Sequence, residues 1–461
     1  MAPRMRKKSF EMPCSAMPTM AGQAWPPVAT AKRANRMPHI AIPASSAYFM
    51  PILASTNGIV TMKTTSDTWP MVSTPATFSM PTAERNEEAY ELYIGKRDGT
   101  LSGVHAADPS AHVLTALVKR TGIDPGTVDD VLWGCVTQIG DQSSNIGRFA
   151  VLAAGWPEHV PGVTINRACG SSQQAVDSAA HAAMAGQYDL VVAGGVETMS
   201  RVPLGSRRTT GQPYGPAVLA RYDNFEFNQG VGAELIAERW GFTRERVDEI
   251  AAGSHAKAAA AIDAGVFDDH VVPVEVDGTD FTTDEGLRRG TSVETLARLK
   301  PSFKPGGVIH AGNASQISDG AAALLITTSE RAAELGLTPI ARYHGGAVSG
   351  ADPITMLLGP IPATEKVLRK AGLSIADIGV FEVNEALAPV PLAWLEETGA
   401  DPDRLNPLGG AIAVGHPLGG SGAILMTCLL ARMRGENLRY GLQAMCEGGG
   451  TANATILELL T

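Results

Sequence analysis

Short apolar runs alternate with longer mixed stretches along this chain, and the alternation predicts an α/β protein. The runs Val163-Thr164-Ile165, YDLVVAGGVE (188–197) and AALLIT (322–327) read as buried strands. Helices are expected over 110–121, 145–155, 231–240, 243–265 and 293–299. The stretch 163–185 reads as strand, sharp turn and helix, with Cys169 at the helix start. That helix is built almost wholly from Ala, Ser, Gln and Gly. Side chains so small let it be surrounded at close range, which places it at the centre of a large domain.

The last third repeats the first. GLSIADIGVFEVN (372–384) echoes residues 122–135 with a one-residue slip: a Gly-hydrophobic start, an acidic turn, then an apolar strand. NPLGGAIAVGHPLGGSGAILMTCLLAR (406–432) echoes the Cys169 region, a polar Gly-rich turn before a small-residue helix. Residues 440–458 read as a final strand pair. The plan is therefore two α/β halves with an insertion between them. The first half takes residues 85–200 and 313–338, the insertion 201–312, and the second half 339–461. Inside the insertion, residues 206–230 have no clear period and read as a long functional loop.

Residues 1–84 differ from the rest. They hold ten of the sixteen methionines, and the first 40 carry seven Lys/Arg against one acid, Glu11. A targeting presequence, a disordered tail and a start placed too far upstream are the three readings. The last two are preferred, so this extension is expected to lie outside the fold.

Composition narrows the function. A net charge of -10 over 461 residues excludes a general nucleic-acid binder, so an anionic ligand needs a local basic patch. No apolar run is long enough for a membrane span. Cys14, Cys135, Cys169, Cys428 and Cys446 form no CxxC pair or zinc spacing. Free thiols in a reducing compartment, taken as cytoplasmic, are expected, and no metal site.

Four polar, Gly-flanked clusters stand where strands end. Cys169 at a helix N-terminus is expected to have a lowered pKa and to be a nucleophile; a buried structural cysteine is the alternative. Asn384-Glu385 follows a buried strand directly; a capping Asn with a solvated Glu is its bland reading. His416 lies before Pro in a glycine-dense loop, where imidazole can take a thiol proton and return it. Cys446 precedes three glycines whose N–H groups can serve as an oxyanion hole. Hydrolysis needs one nucleophile and one base. A second thiol points to a second proton transfer, at carbon, as in thioester Claisen chemistry.

With these residues in place, the chain resembles the thiolase family, acetyl-CoA C-acyltransferases. The resemblance rests on NRACGSSQQA (166–175), GGVETMS (194–200), AGNASQISDGAAA (311–323), NEALAP (384–389), GGAIAVGHPLGGSGA (409–423) and CEGGGTANATI (446–456). It implies duplicated βαβαβαββ halves in a layered αβαβα arrangement with an inserted loop domain. It implies that Cys169 becomes acylated, His416 activates it, and Cys446 is the acid/base at the acetyl carbon. Asn384, through a water shared with His416, makes one oxyanion hole; the N–H groups of Cys169 and Gly448 make the other. Ser315 resembles the serine that meets the pantetheine arm, Arg288 the arginine at the nucleotide end of CoA, and Phe303 an apolar residue packed on the cofactor. CoA is then a substrate and no resident cofactor is implied; the partners are CoA, acyl-CoA and further copies of the chain as a homodimer or homotetramer.

The implied reaction is reversible cleavage of 3-oxoacyl-CoA by CoA, in fatty-acid or steroid side-chain breakdown. A ketosynthase-type condensing enzyme is the second reading within the fold, but Cys446 has no role there. Two departures from the family bear on this. Leu387 stands where Phe usually follows NEA, so altered packing is expected. The family's opening strand ends Arg-Thr-Pro before the GK loop, and EEAYELYIGKRDG (87–99) is expected to be too poor in apolar residues to supply it. A non-catalytic acyl-CoA-binding or assembly subunit is the alternative that such a loss would leave.

Overall fold

The computed structural model describes residues 76–81 and 90–460, apart from positions 210, 269 and 277. Its chain opens with two strands, β1 (Ala76–Pro81) and β2 (Tyr90–Lys96). Then come α1 (Ala107–Thr121), β3 (Asp130–Gly134), α2 (Ile146–Ala153), β4 (Val163–Ile165), α3 (Ser171–Met184) and β5 (Leu190–Thr198). The insertion holds α4 (Pro216–Arg221), α5 (Gln229–Trp240), α6 (Arg244–Asp263), the hairpin β6 (Val274–Val276) and β7 (Thr279–Phe281), and α7 (Val293–Leu296). β8 (Ser318–Thr328) and α8 (Ser329–Leu335) return to the main body. The second pass runs β9 (Leu337–Gly350), α9 (Pro360–Ala371), β10 (Val380–Val383), α10 (Pro389–Thr398), α11 (Ala411–Val414), α12 (Ser421–Glu436), β11 (Tyr440–Glu447) and β12 (Thr451–Leu459).

The repeat has a local cause. α1 and α9 both end on a left-handed glycine, Gly122 and Gly372, each at φ 68°. Both then pass through one 3-10 turn, capped by Asp124 in one half and by Ser374 in the other, into a buried strand. β5 and β8 are buried along their whole length, as unbroken apolar runs predict.

The strands join in the order β10-β11-β12-β9-β1-β8-β5-β3-β4. The order reads as mirrored halves: β12, β11 and β10 follow β9 on one side as β8, β5 and β3 follow β1 on the other. α3 and α12 pack on each other, and each touches strands of both halves. α1 lies against β8 and β2, and α9 against β9 and β12. The small-residue helices therefore form the middle layer, as expected. Gly422 shows how close they come: a β-carbon there would lie 2.3 Å from the backbone nitrogen of Gln173.

Two expectations about the start of the chain are corrected. The opening strand is present: β2 pairs antiparallel with β8 from Tyr90↔Leu324 to Lys96↔Ser318. Its apolar count is low, but Tyr90, Tyr93 and Ile94 are strong strand formers, which outweighs the interrupting Glu91. The extension also contributes to the fold, since Ala76–Pro81 lies within residues 1–84. β1 pairs with β8 through Ala76↔Thr328 to Phe78↔Ile326, and with β9 through Thr77↔Arg342 to Pro81↔Leu337. It runs in line with β2 along the same edge of β8, so two short pieces fill one strand position. The readings of residues 1–75 and 82–84 lie outside the described residues.

Candidate active site

Cys169 follows β4 on a tight turn. Ala168 holds a positive φ of 44°, a region non-glycine residues seldom enter. The turn is held by its neighbours: the Asn166 side-chain oxygen accepts from Ala168 N at 2.9 Å, and Ser171 Oγ accepts from Arg167 N at 3.0 Å. Gly170 caps α3, so Cys169 stands just outside the helix start.

The thiol is 3 % exposed. Its pKa is pushed up to about 11, first by burial and then by the Glu447 carboxylate. This corrects the expectation of a lowered value. A helix terminus contributes about 0.3–1 kcal/mol, under one pKa unit, whereas burial can move a group by several. Hydrogen bonds from the Gln229 side chain and the Gly448 N–H act in the opposite sense on the sulfur. Gln229 begins α5, capped by Asn228. The sequence reading missed it, since it sits at the end of the aperiodic loop with no motif around it.

A thiol with so high a pKa needs a base, and His416 is built as one. Burial lowers its pKa to about 4, so the ring is neutral. Ser421 Oγ donates to the Pro417 carbonyl at 2.8 Å and therefore accepts from His416 Nδ1 at 2.6 Å. The proton is thereby placed on Nδ1 and the lone pair on Nε2, which is buried and without a partner among the described residues. Two further contacts fix the loop: His416 N donates to Ser318 Oγ, and Gly419 N to Glu197 at 3.0 Å. Glu197 also accepts from Val136 N, Thr137 N and Gln142 Nε2, at 2.9–3.0 Å.

Cys446 is the penultimate residue of β11 and is fully buried. Burial pushes its pKa far up, and the charge of Cys169 adds to this, so the two thiols are close enough to couple. Cys169 packs in one apolar cluster with Leu418 of the histidine loop and Met445 next to Cys446. Asn384 Nδ2 lies 3.9 Å from the Cys446 sulfur, and its Oδ1 is buried without a partner among the described residues. Glu385 is not solvated: it accepts from Ser254 Oγ and Asn406 Nδ2 and ties α6 to the segment before α11. Leu387 is buried in the cluster that contains Cys446, Met356 and Phe227.

The remaining expected residues lead outward from the thiols. Ser315 is fixed on the Asn384 segment, its N–H donating to the Ala386 carbonyl at 2.9 Å. Arg288 is exposed and reaches the neighbouring Gln316 Oε1 at 3.5 Å. Phe303 is 43 % exposed, and its ring lies on the backbone of Gly230, next to Gln229. Among the described residues no group of three or more His, Cys, Asp or Glu is placed to hold a metal ion, and no helix is long and apolar enough to cross a membrane.

Residues 88–330 match the Thiolase, N-terminal domain family and residues 337–459 the Thiolase, C-terminal domain family. The chain is 49% identical over 381 residues to the Steroid 3-ketoacyl-CoA thiolase FadA6 of Mycobacterium tuberculosis, covering 81% of this chain and 93% of that protein. It is 42% identical over 372 residues to a 3-ketoacyl-CoA thiolase of Escherichia coli, covering 78% and 95%. The crystal structure of the Bacillus anthracis acetyl-CoA acetyltransferase superposes with a TM-score of 0.75 at 37% identity, over 84% of this chain and 100% of that one.

Proposed function

The chain belongs to the thiolase family, and from that premise we propose that Cys169 carries the acyl group, His416 activates it and Cys446 manages the proton at the acetyl carbon. The protein is an acetyl-CoA C-acyltransferase that cleaves 3-oxoacyl-CoA with CoA, giving acetyl-CoA and a shortened acyl-CoA. His416 Nε2 takes the Cys169 proton, and the thiolate attacks the 3-oxo carbon. The bond between C2 and C3 breaks, leaving an acyl-thioester on Cys169. The electron pair stays on C2 of acetyl-CoA, which takes a proton from Cys446. The Cys446 thiolate then removes the proton of the incoming CoA thiol, and the CoA sulfur displaces Cys169, which regains its proton from His416.

Oxyanions are received by the N–H groups of Cys169 and Gly448 on one side, and by protonated His416 with a water held by Asn384 on the other. Ser315, Arg288 and Phe303 form the path for CoA. Arg288 supplies the local cation that CoA phosphates need on an acidic chain.

One observation carries this reading: a neutral imidazole with a bare Nε2 sits on the loop whose Leu418 packs in one buried cluster with Cys169 and with Met445, next to Cys446. Incubation with acetyl-CoA is expected to leave one acetyl group on the peptide containing Cys169, detected by mass spectrometry. An adduct elsewhere, or none, would overturn the assignment. A non-catalytic role rested on a lost opening strand, and β2 occupies that place.

The substrate assigned is a bulky 3-oxoacyl-CoA from fatty-acid or steroid side-chain breakdown. The name of the Mycobacterium tuberculosis relative supports this. So does the inserted loop, where Tyr214 and Tyr222 pack edge-on against Phe227 at 5.0 and 5.1 Å, in the cluster that includes Cys446. Steady-state assays are expected to favour bulky 3-oxoacyl-CoAs; a strong preference for acetoacetyl-CoA would argue against it.

The assigned domains are 85–200 with 313–338, 201–312, and 339–461, supported by the repeated order of elements. Homodimer or homotetramer assembly is supported by the free edge of β4, where Val163 is exposed near Phe149 and Leu152 of α2. A cytoplasmic site is supported by Cys135, Cys169, Cys428 and Cys446 all being free thiols.

A further inference from the structure

We propose that Glu447 stands behind the nucleophile as a neutral carboxylic acid, and that its ionisation acts as a brake on Cys169. The inference rests on Cys169 being the acyl-carrying thiol.

Glu447 ends β11, directly after Cys446, and its side chain turns inward with no exposure. One oxygen, Oε2, accepts from Thr451 Oγ1 at 2.5 Å. The other, Oε1, is buried without a partner among the described residues, and so is Asn453 Oδ1. Both lie against the α-carbon of Gly170: a β-carbon there would come within 2.2 Å of Oε1 and 2.8 Å of Oδ1. Two acceptor oxygens side by side in a dry site repel unless one carries a proton. Turning the Asn453 amide does not resolve this. Its Nδ2 faces the Gly170 carbonyl at 3.4 Å, and a turned amide would set oxygen against oxygen there. A proton on Glu447 Oε1 removes the charge that this unpartnered oxygen would otherwise carry in a dry site.

The charges around the carboxyl agree. Burial, with a smaller contribution from Asp177 on α3, raises its pKa to about 7. Thr451 and Arg167, in the turn before α3, act in the opposite sense. Asp177 is itself engaged by Thr455 and Tyr343. Cys169 and Cys446 complete the surroundings, and the Glu447 charge raises the pKa of each. Below about pH 7 the carboxyl is neutral and costs the thiolate nothing. Above it, a carboxylate next to Cys169 disfavours a second negative charge. The gain in nucleophile that rising pH should bring is then partly cancelled.

The test is the pH profile of Cys169 alkylation by iodoacetamide, read on the Cys169 peptide by mass spectrometry. Wild type is expected to show a break in slope near pH 7, about where Glu447 ionises. Glu447→Gln should lack the break, match wild type near about pH 6, and react roughly 10-fold faster near about pH 9, the effect of removing one adjacent like charge. Glu447→Asp, which keeps an ionisable group, should restore the break. Parallel profiles for wild type and Glu447→Gln, or an unbroken wild-type slope, would overturn the brake; the latter needs no variant to fold. Cys169→Ser separates the two readings: acyl transfer surviving in that variant removes Cys169 as the acyl carrier, whatever Glu447 does.

Discussion

Replacing Cys446 with alanine is expected to lower thiolysis about 10²–10⁴-fold, the range for loss of a positioned acid/base, while Cys169 still takes an acetyl group from acetyl-CoA. The split follows from where the proton is needed. Acylation by acetyl-CoA needs the thiol of Cys169, the lone pair of His416 Nε2 and an oxyanion site; the proton that Cys446 would hand to the departing CoA sulfur can come from protonated His416 instead, because a thiolate is a good leaving group. Breaking the bond between C2 and C3 leaves a carbanion, and the group placed to protonate it is the second thiol, coupled to the first and held against Asn384. Alanine leaves a space the size of one sulfur in a fully buried position, so the fold should survive at a cost of roughly 1–2 kcal/mol. The decisive reading is exchange of the acetyl α-protons with deuterated water, which should stop in the variant. Full thiolysis, or continued exchange, would remove Cys446 from the mechanism.

Replacing Glu197 with alanine is expected to destabilise the protein by about 3–5 kcal/mol, read as a lowered denaturation midpoint at unchanged slope. The carboxylate receives three backbone N–H groups, from Val136, Thr137 and Gly419, besides the Gln142 amide. Without it, those donors are left buried and unpaired, at about 1–3 kcal/mol each before relaxation. Burial raises the pKa of Glu197, and the hydrogen bonds from Val136, Thr137 and Gln142 oppose that shift. Gly419 belongs to the loop that carries His416, so thiolysis should fall along with stability. A loss below about 1 kcal/mol would show that the loop is held by other contacts.

The parts of this site that the sequence reveals are those with chemistry on their face. Cys169, Asn384, His416 and Cys446 are polar or thiol residues near glycine-rich turns at the ends of apolar runs, and pattern alone singles them out as candidates. The parts it hides act through a partner brought from afar. Gln229 meets Cys169 from an aperiodic loop, and Glu197 joins three segments far apart in the chain. Ser421 fixes the His416 proton only because its own proton goes to Pro417. The pKa of Cys169 is hidden for a similar reason: the helix start is local and visible, while burial is set by the whole fold. At the start of the chain, apolar count is a poor measure for β2, whose tyrosines signal a strand better than they signal a core, and β1 lies in a stretch whose composition does not resemble the rest of the fold.

The repeat leaves one further consequence. β3 and β5 pair at Val131↔Val192, and β10 and β11 at Val380↔Gly441. Equal steps along these strands reach Cys135 and Glu197 in one half, and Asn384 and Cys446 in the other. Positions related by the duplication have thus parted: Glu197 in one half gathers backbone N–H groups, while Asn384 in the other lies 3.9 Å from the Cys446 sulfur. On the proposed assignment, two copies of one plan yield a single reaction centre, with the nucleophile lent by the copy whose strand ends serve as scaffolding.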